Sequence, residues 1–259
     1  MLDRVEELHP GCDFVLLFLE DFFLKSAVDS ARIIELIQIA RARQVGCLRL
    51  AAGLPLALPP ATEVAGLPGI GVIGSAEPYR VTLQASIWRI STLRKLLAPG
   101  LTPWEFEQIG TQLSEMLDDR FWGVMAPAIN YDHAIEKGKW KPAGLEILTK
   151  AGLDPGKLSR AVFSEAELAQ HHEQSGVQSE QAKYRNAALR SFLIGHRRDG
   201  LISICRHIGN SRPSVTDIGL GIVGLLGRTA TRTALEFYVK MRLRACARRE
   251  AAGYGKPGE

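Results

Sequence analysis

A chain of 259 residues with 46% hydrophobic residues carries enough apolar material for a packed core, which excludes wholesale disorder. Its four cysteines, Cys12, Cys47, Cys205 and Cys246, form no CxxC pair; this argues against a zinc ribbon or disulfide scaffold and suits a reducing compartment. The net charge of +4 conceals a split: residues 1–182 carry 17 Lys and Arg against 23 Asp and Glu, and residues 183–259 carry 15 against 5. A basic tail on an acidic body is expected to meet something anionic.

The chain opens without a basic region followed by an apolar core, so no signal peptide is expected. Residues 14–19 are continuously apolar and run into Glu20 and Asp21. So short a run predicts a strand buried on both faces of a sheet covered by helices. Ligands in such sheets collect at strand carboxyl ends, where this acid pair falls. Either the pair serves a cation bridging to a phosphorylated ligand, or one acid caps the next element and the other faces water. Asp29 or Ser30 can cap a helix carrying Ile33, Ile34, Ile37 and Ile39 to about residue 43. Residues 45–50 predict a second strand, and the Gly- and Pro-rich residues 51–78 a long loop.

Residues 79–88 predict another strand, with Val81, Leu83, Ala85 and Ile87 on one face and Arg80, Thr82, Gln84 and Ser86 on the other, as the wall of a polar site. A short helix over 91–97 precedes Thr102, a helix cap with Pro103 at the favoured first position, opening a helix to about residue 117. Residues 121–129 read as a proline-interrupted edge strand. The polar residues 130–140 read as a loop or broken turn, and 144–151 as a helix. Beyond them come a polar linker over 153–182 with a helical piece and a helical tail over 183–259, with helices at 181–194, 201–207 and 216–249. The fold class expected is α/β: a mixed sheet flanked by helices over residues 1–152, followed by the linker and the basic helical tail.

Several stretches, in order, carry a resemblance: Leu19-Glu20-Asp21-Phe22-Phe23; Tyr79-Arg80-Val81 with Gln84, Ile87 and Trp88; Pro99-Gly100; Pro103-Trp104-Glu105-Phe106-Glu107; Phe121-Trp122-Gly123; and His133 through Trp140. Across roughly residues 10–145 the chain resembles a family of bacterial glycosyltransferases built on the GT-A fold, in a form lacking the N-terminal nucleotide-binding part, since just 13 residues precede Phe14. The resemblance implies transfer of a sugar from a nucleotide-diphosphate donor to a cell-surface polysaccharide or lipid-linked acceptor. It gives Glu20 and Asp21 the part of the acidic motif that holds a manganese or magnesium ion, with Phe22 where a third acid often stands, and brings His133 to that metal. Glu105 or Glu107 becomes the base for the acceptor hydroxyl. Trp104 stacks on a sugar, Arg80 and Gln84 line the substrate site, and Lys137 and Lys139 approach phosphate. Read without the resemblance, Trp104 is a core aromatic, His133 a surface residue and the lysines solvated.

In the tail, Ile218, Ile222, Leu225, Leu226, Leu235, Val239 and Leu243 are set against Arg228, Arg232, Lys240, Arg242, Arg244, Arg248 and Arg249. Such a basic amphipathic segment either lies in the headgroup region of an anionic membrane or packs on the body with its basic side in water. No motif or interleaved aromatic pattern for nucleic acid accompanies the charge. The apolar residues 218–227 are too few to cross a bilayer. The location expected is cytoplasmic, peripheral on the inner face of the plasma membrane. Two other readings stand beside the transferase: a non-catalytic remnant serving as a binding module, and a phosphate-handling α/β enzyme of another kind.

Overall fold

The computed structural model describes residues 2–51, 60, 62–75, 77, 79–157, 159–210 and 214–251, with the side chains of 171–183, 210 and 250 outside that set. In chain order the body comprises α1 (Leu2–Leu8), β1 (Phe14–Leu17), β2 (Phe22–Leu24), α2 (Ser30–Ala42), β3 (Val45–Arg49), β4 (Thr62–Glu63), β5 (Ile70–Val72), β6 (Ser86–Arg89), α3 (Ile90–Leu96), α4 (Pro103–Ser114), β7 (Arg120–Val124), β8 (Tyr131–His133), β9 (Ile135–Glu136), β10 (Lys139–Trp140) and α5 (Pro142–Lys150). Four helices follow: α6 (Glu165–Ile194), α7 (Arg197–Asn210), α8 (Val215–Leu226) and α9 (Arg228–Ala251). The α/β class, the flanking helices and the helical C-terminal region all agree with the sequence.

Six strands form a mixed sheet in the order β1-β6-β3-β7-β5-β4. β3 and β7 run parallel, while β6 is antiparallel to both β1 and β3. Successive side chains of these strands go to opposite faces. Leu48, Ile87 and Trp122 therefore join α2's Ile33, Leu36 and Ala40 in one core, and Cys47, Trp88 and Phe121 join α3 and α4 in another. Burying a leucine as fully as Leu36 or Leu48 contributes about 1.5–3 kcal/mol.

The helix starts follow local chemistry. Asp29 caps α2 by accepting from the Arg32 amide at 3.0 Å, and Thr102 with Glu105 forms a capping box on α4. Several strands depart from expectation. β1 lies at the sheet edge with Leu16 exposed, rather than buried on both faces. Among residues 79–89 only Ser86–Arg89 pairs as a strand; the amides of Val81, Leu83, Gln84 and Ala85 donate to side-chain oxygens of Thr111, Glu107, Thr82 and Tyr131. The stretch 51–78 is not wholly loop: β4 and β5 form a hairpin within it, and 52–59, 61, 76 and 78 lie outside the described residues. β7 is interior, between β3 and β5, and ends before Pro127. The polar residues 130–140 form three short strands, not a loop.

The helical piece expected in the linker takes up most of it and continues into the tail, since α6 begins at Glu165 behind a Ser164–Glu167 capping box. The expected single helix over 216–249 is broken at Gly227, whose φ of 104° few other residues adopt. The C-terminal helices pack on the body through α4: Ile109 meets Leu189 and Leu193 of α6 and Leu235 and Val239 of α9. Gly100 allows the α9 backbone to approach, because a β-carbon there would strike the Cys246 carbonyl. Leu235 and Val239 therefore face inward, and α9 follows the packed-helix reading of its sequence.

Candidate functional site

Residues 18–21 carry the chain from the edge of the main sheet into a second, two-stranded sheet of β2 and β8. The antiparallel register sets Phe22 opposite His133 and Leu24 opposite Tyr131. It is locked on either side by backbone bonds, Ala134 N–H to the Asp21 carbonyl at 2.8 Å and Lys25 N–H to the Asn130 carbonyl at 2.9 Å. Tyr131 and His133, two apart on a strand, share a face, and the Phe22 ring stacks against both, with centroids at 4.6 and 4.3 Å.

A hydrogen-bond relay fixes the imidazole. The Tyr131 hydroxyl accepts from the Ala85 amide at 3.2 Å and so donates to the Gln84 side-chain oxygen. That leaves the Gln84 amide nitrogen facing His133 Nε2 at 3.3 Å. Nε2 therefore accepts, and the proton of the neutral ring sits on Nδ1. Burial lowers the His133 pKa against the attraction of Asp21, which agrees with a neutral ring. Burial likewise raises the Asp21 carboxyl pKa, opposed by His133. The Asp21 Oδ1 atom is buried with no hydrogen-bond partner among the described residues. A shielded, unbonded carboxylate oxygen is costly, and a cation would relieve it. Glu20 beside it is exposed.

Glu107 borders the same region from α4. Its Oε1 accepts from the Thr82 hydroxyl and the Leu83 amide, both at 2.8 Å, so it holds the segment that presents Gln84. Burial raises its pKa above the ordinary glutamate value, with the two hydrogen bonds and the Arg49 charge opposing.

The other residues singled out in the sequence lie elsewhere. Arg80 is buried, donating to the Ser114 carbonyl at 2.9 Å and stacked over the Phe121 ring at 4.3 Å. Together with buried Thr82 and Ser86, it corrects the expected polar wall: these side chains brace the interior. Glu105 completes the α4 cap and pairs with Arg249 of α9 at 2.6 Å. Burial pushes its carboxyl up, but Arg249 and the Thr102 bonds outweigh that and hold it at about 2. A carboxylate so held is a poor proton acceptor near neutral pH. Trp104 is 55% exposed rather than in the core. Lys137 and Gly138, both at positive φ, turn the β9–β10 hairpin, and Lys139 pairs with Glu167 at 2.5 Å.

Gln84 thus meets His133 directly, and Asp21 is near enough for its charge to act on the ring, with Glu107 behind Gln84. Arg80, Glu105, Trp104 and Lys139 are engaged or placed elsewhere. Sequence reading missed Tyr131 and Arg49. Tyr131 was legible in the Tyr131-x-His133 alternation, hidden by the polar residues around it. Arg49 is buried at the end of β3 and donates to the Tyr79 carbonyl at 3.2 Å.

Comparison with protein-family models, with characterised proteins and with solved structures finds no match for the chain. The functional reading rests on the residues. Among the described residues no group of three or more His, Cys, Asp and Glu closes on a metal-sized point. Asp21 and His133 offer one oxygen and one nitrogen donor, which suits an ion that shares its remaining positions with a ligand's phosphates and water.

Proposed function

We propose that the chain is a glycosyltransferase-type protein that binds a nucleotide-diphosphate sugar at the Asp21–His133 corner, on a GT-A-like sheet, for transfer to a glycan or lipid-linked acceptor. The single observation that carries this reading is a buried Asp21 carboxylate oxygen that no described residue hydrogen-bonds, on a carboxylate whose charge interacts with the His133 ring. A divalent ion bound there would neutralise the donor's diphosphate. Asp21 contributes its unbonded oxygen, and His133 its nitrogen once Gln84 turns away. Gln84 is then free to donate to the donor, and Glu107, its carboxyl raised by burial, is better matched than Glu105 to taking a proton from an acceptor hydroxyl.

Titration calorimetry of the full chain with UDP- and GDP-sugars, with and without manganese, tests the reading. Metal-dependent binding is expected, and Asp21→Asn should abolish its metal-dependent part while the circular dichroism spectrum stays unchanged. Binding indifferent to metal and to Asp21→Asn would overturn it. One observation favours the non-catalytic binding module instead: both helix acids are engaged, Glu105 by Arg249 and Glu107 by Thr82 and Leu83. Metal-dependent binding without release of nucleoside diphosphate in the presence of acceptor would select that second reading.

A further inference from the structure

We infer that the outer face of α8 is a docking surface for an anionic phospholipid bilayer. The sequence spread this property over residues 216–249, but the structure divides that stretch at Gly227, buries Leu235 and Val239 of α9, and leaves the apolar side of α8 uncovered by the described residues. Val215, Ile218, Ile222, Leu225 and Leu226 are 88, 49, 58, 52 and 70% exposed. Their spacing puts them on one side of the helix. Apart from the Thr216 hydroxyl, the exposed side chains within α8 offer no hydrogen-bonding group.

The orientation of α8 is fixed from the other side. Asp217 is buried and pairs with Arg185 of α6 at 3.2 Å and His207 of α7 at 3.3 Å. Gly224 lies flat against the buried Phe192 ring, where even a β-carbon would stand 2.5 Å away. Rotating α8 to hide its apolar side would expose an ion network and drive Ile222 or Leu225 toward Phe192. The uncovered face is therefore a consequence of how the helix is locked.

Continuity and charge identify the occupant. At one end the apolar surface runs from Val215 to Phe237 and Met241 of α9, 69 and 50% exposed, around the mouth of a cavity of about 320 Å³ lined mainly by apolar side chains. At the other end stand two exposed cations: Arg228 opens α9, and the Arg197 guanidinium packs against Gly227. Apolar side chains inserted between acyl chains, with arginines at headgroup level, suit an anionic interface. A protein partner would meet about one hydrogen bond per 100–200 Å², which this face cannot supply. A second copy docked with the two α8 helices parallel would set arginine against arginine, and the antiparallel pairing is an outcome of the test below. Among the described residues no helix is long and apolar enough to cross a membrane, so the contact is peripheral. The inference is drawn from α8 and its surroundings and does not rest on the nucleotide-sugar reading.

Co-sedimentation of the full chain with vesicles tests it, using phosphatidylcholine alone and phosphatidylcholine mixed with phosphatidylglycerol. The chain is expected to pellet with the mixed vesicles and to be released by high salt. Ile222→Asp with Leu226→Asp, both at exposed positions, should lower the bound fraction about tenfold with an unchanged melting curve. Arg197→Glu with Arg228→Glu should remove the preference for phosphatidylglycerol. Failure of the wild-type chain to pellet with mixed vesicles would overturn the inference, as would undiminished pelleting of the double aspartate variant. So would a wild-type dimer in sedimentation velocity that the aspartates dissolve while vesicle binding stays intact.

Discussion

Replacing Glu107 separates a scaffold from a base, because one atom does the structural work. Both hydrogen bonds from residues 82 and 83 end on Oε1. Glu107→Ala removes the acceptor of the Thr82 hydroxyl proton and of the Leu83 amide at once, at about 1–3 kcal/mol each, so a loss of about 2–6 kcal/mol in unfolding free energy is expected. Glu107→Gln keeps an oxygen in place and removes the charge. Burial is the largest influence on this carboxyl and raises its pKa; Arg49 is the smallest of the opposing ones. The folded protein thus binds the Glu107 proton more tightly than the unfolded chain. The stability tied to that proton is complete below the ordinary glutamate range and declines as pH rises through the folded value. Glutamine should therefore match wild type near pH 4.5 and equal or exceed it at neutral pH. Urea titrations followed through the buried Trp88 and Trp122 read all three proteins. A glutamine variant as unstable as the alanine one, or an alanine variant within about 1 kcal/mol of wild type, would refute the reasoning. If a transferase assay is established, loss of turnover in the stable glutamine variant assigns Glu107 to the chemistry.

The Glu105–Arg249 contact ties α9 to the start of α4, and Glu105→Ala should cost about 1–2 kcal/mol at neutral pH through the lost cap and ion pair. The Glu105 pKa is depressed on folding, so this contribution holds above about 4.5 and disappears as pH falls toward about 2; a difference that persists unchanged in acid would contradict it. In the C-terminal helices, Gly200 and Gly224 flank the fully buried Phe192 ring. Gly224→Ala should destabilise by about 1–3 kcal/mol through overpacking, and the smaller Phe192→Leu should recover part of that loss in the double variant. Strict additivity of the two changes in a double-mutant cycle would deny the contact.

The sequence disclosed the parts of this fold that are locally encoded. Asp29 and Thr102 announce α2 and α4 because a capping side chain serves amides only two or three residues ahead. The interior strand β3 was visible in a short apolar run, but the same signal misled at β1, which is at the edge with Leu16 exposed. Continuous apolarity reports burial somewhere and does not say which side a neighbouring strand will occupy. The segment 80–85 looked like a strand by alternation, yet Glu107 and Thr111 supply its hydrogen bonds from α4, and no local pattern announces a partner some 25–30 residues away. Within the candidate site, pairing His133 with Asp21 was an expectation drawn from a resemblance, and the Tyr131–Gln84 relay that fixes the imidazole was not anticipated. For the tail, the sequence showed apolar and basic residues interleaved; only the packing of α9 on α4 decides that Leu235 and Val239 turn inward while Ile222 does not.

The corner at Asp21 depends on a pairing of only three residues on each strand, and side chains alternate faces along a strand. A slip of one residue would present Asp132 or Ala134 where His133 now stands and turn the ring to the opposite side. The alternatives are disfavoured by contacts outside the chemistry. Asp132 on the other face reaches Lys25 at 3.4 Å, the Phe22 ring is stacked against both Tyr131 and His133, and Gly144 of α5 presses so closely on Ala134 that a β-carbon there would lie 2.7 Å from its Cα. α5 therefore acts as a stop for β8, and the missing side chain at 144 is what lets the stop come close enough. The placement of the imidazole is thus set by how a helix seats against a strand. A glycine and an alanine with no chemistry of their own consequently belong to the determinants of this site as much as the acid and the histidine do.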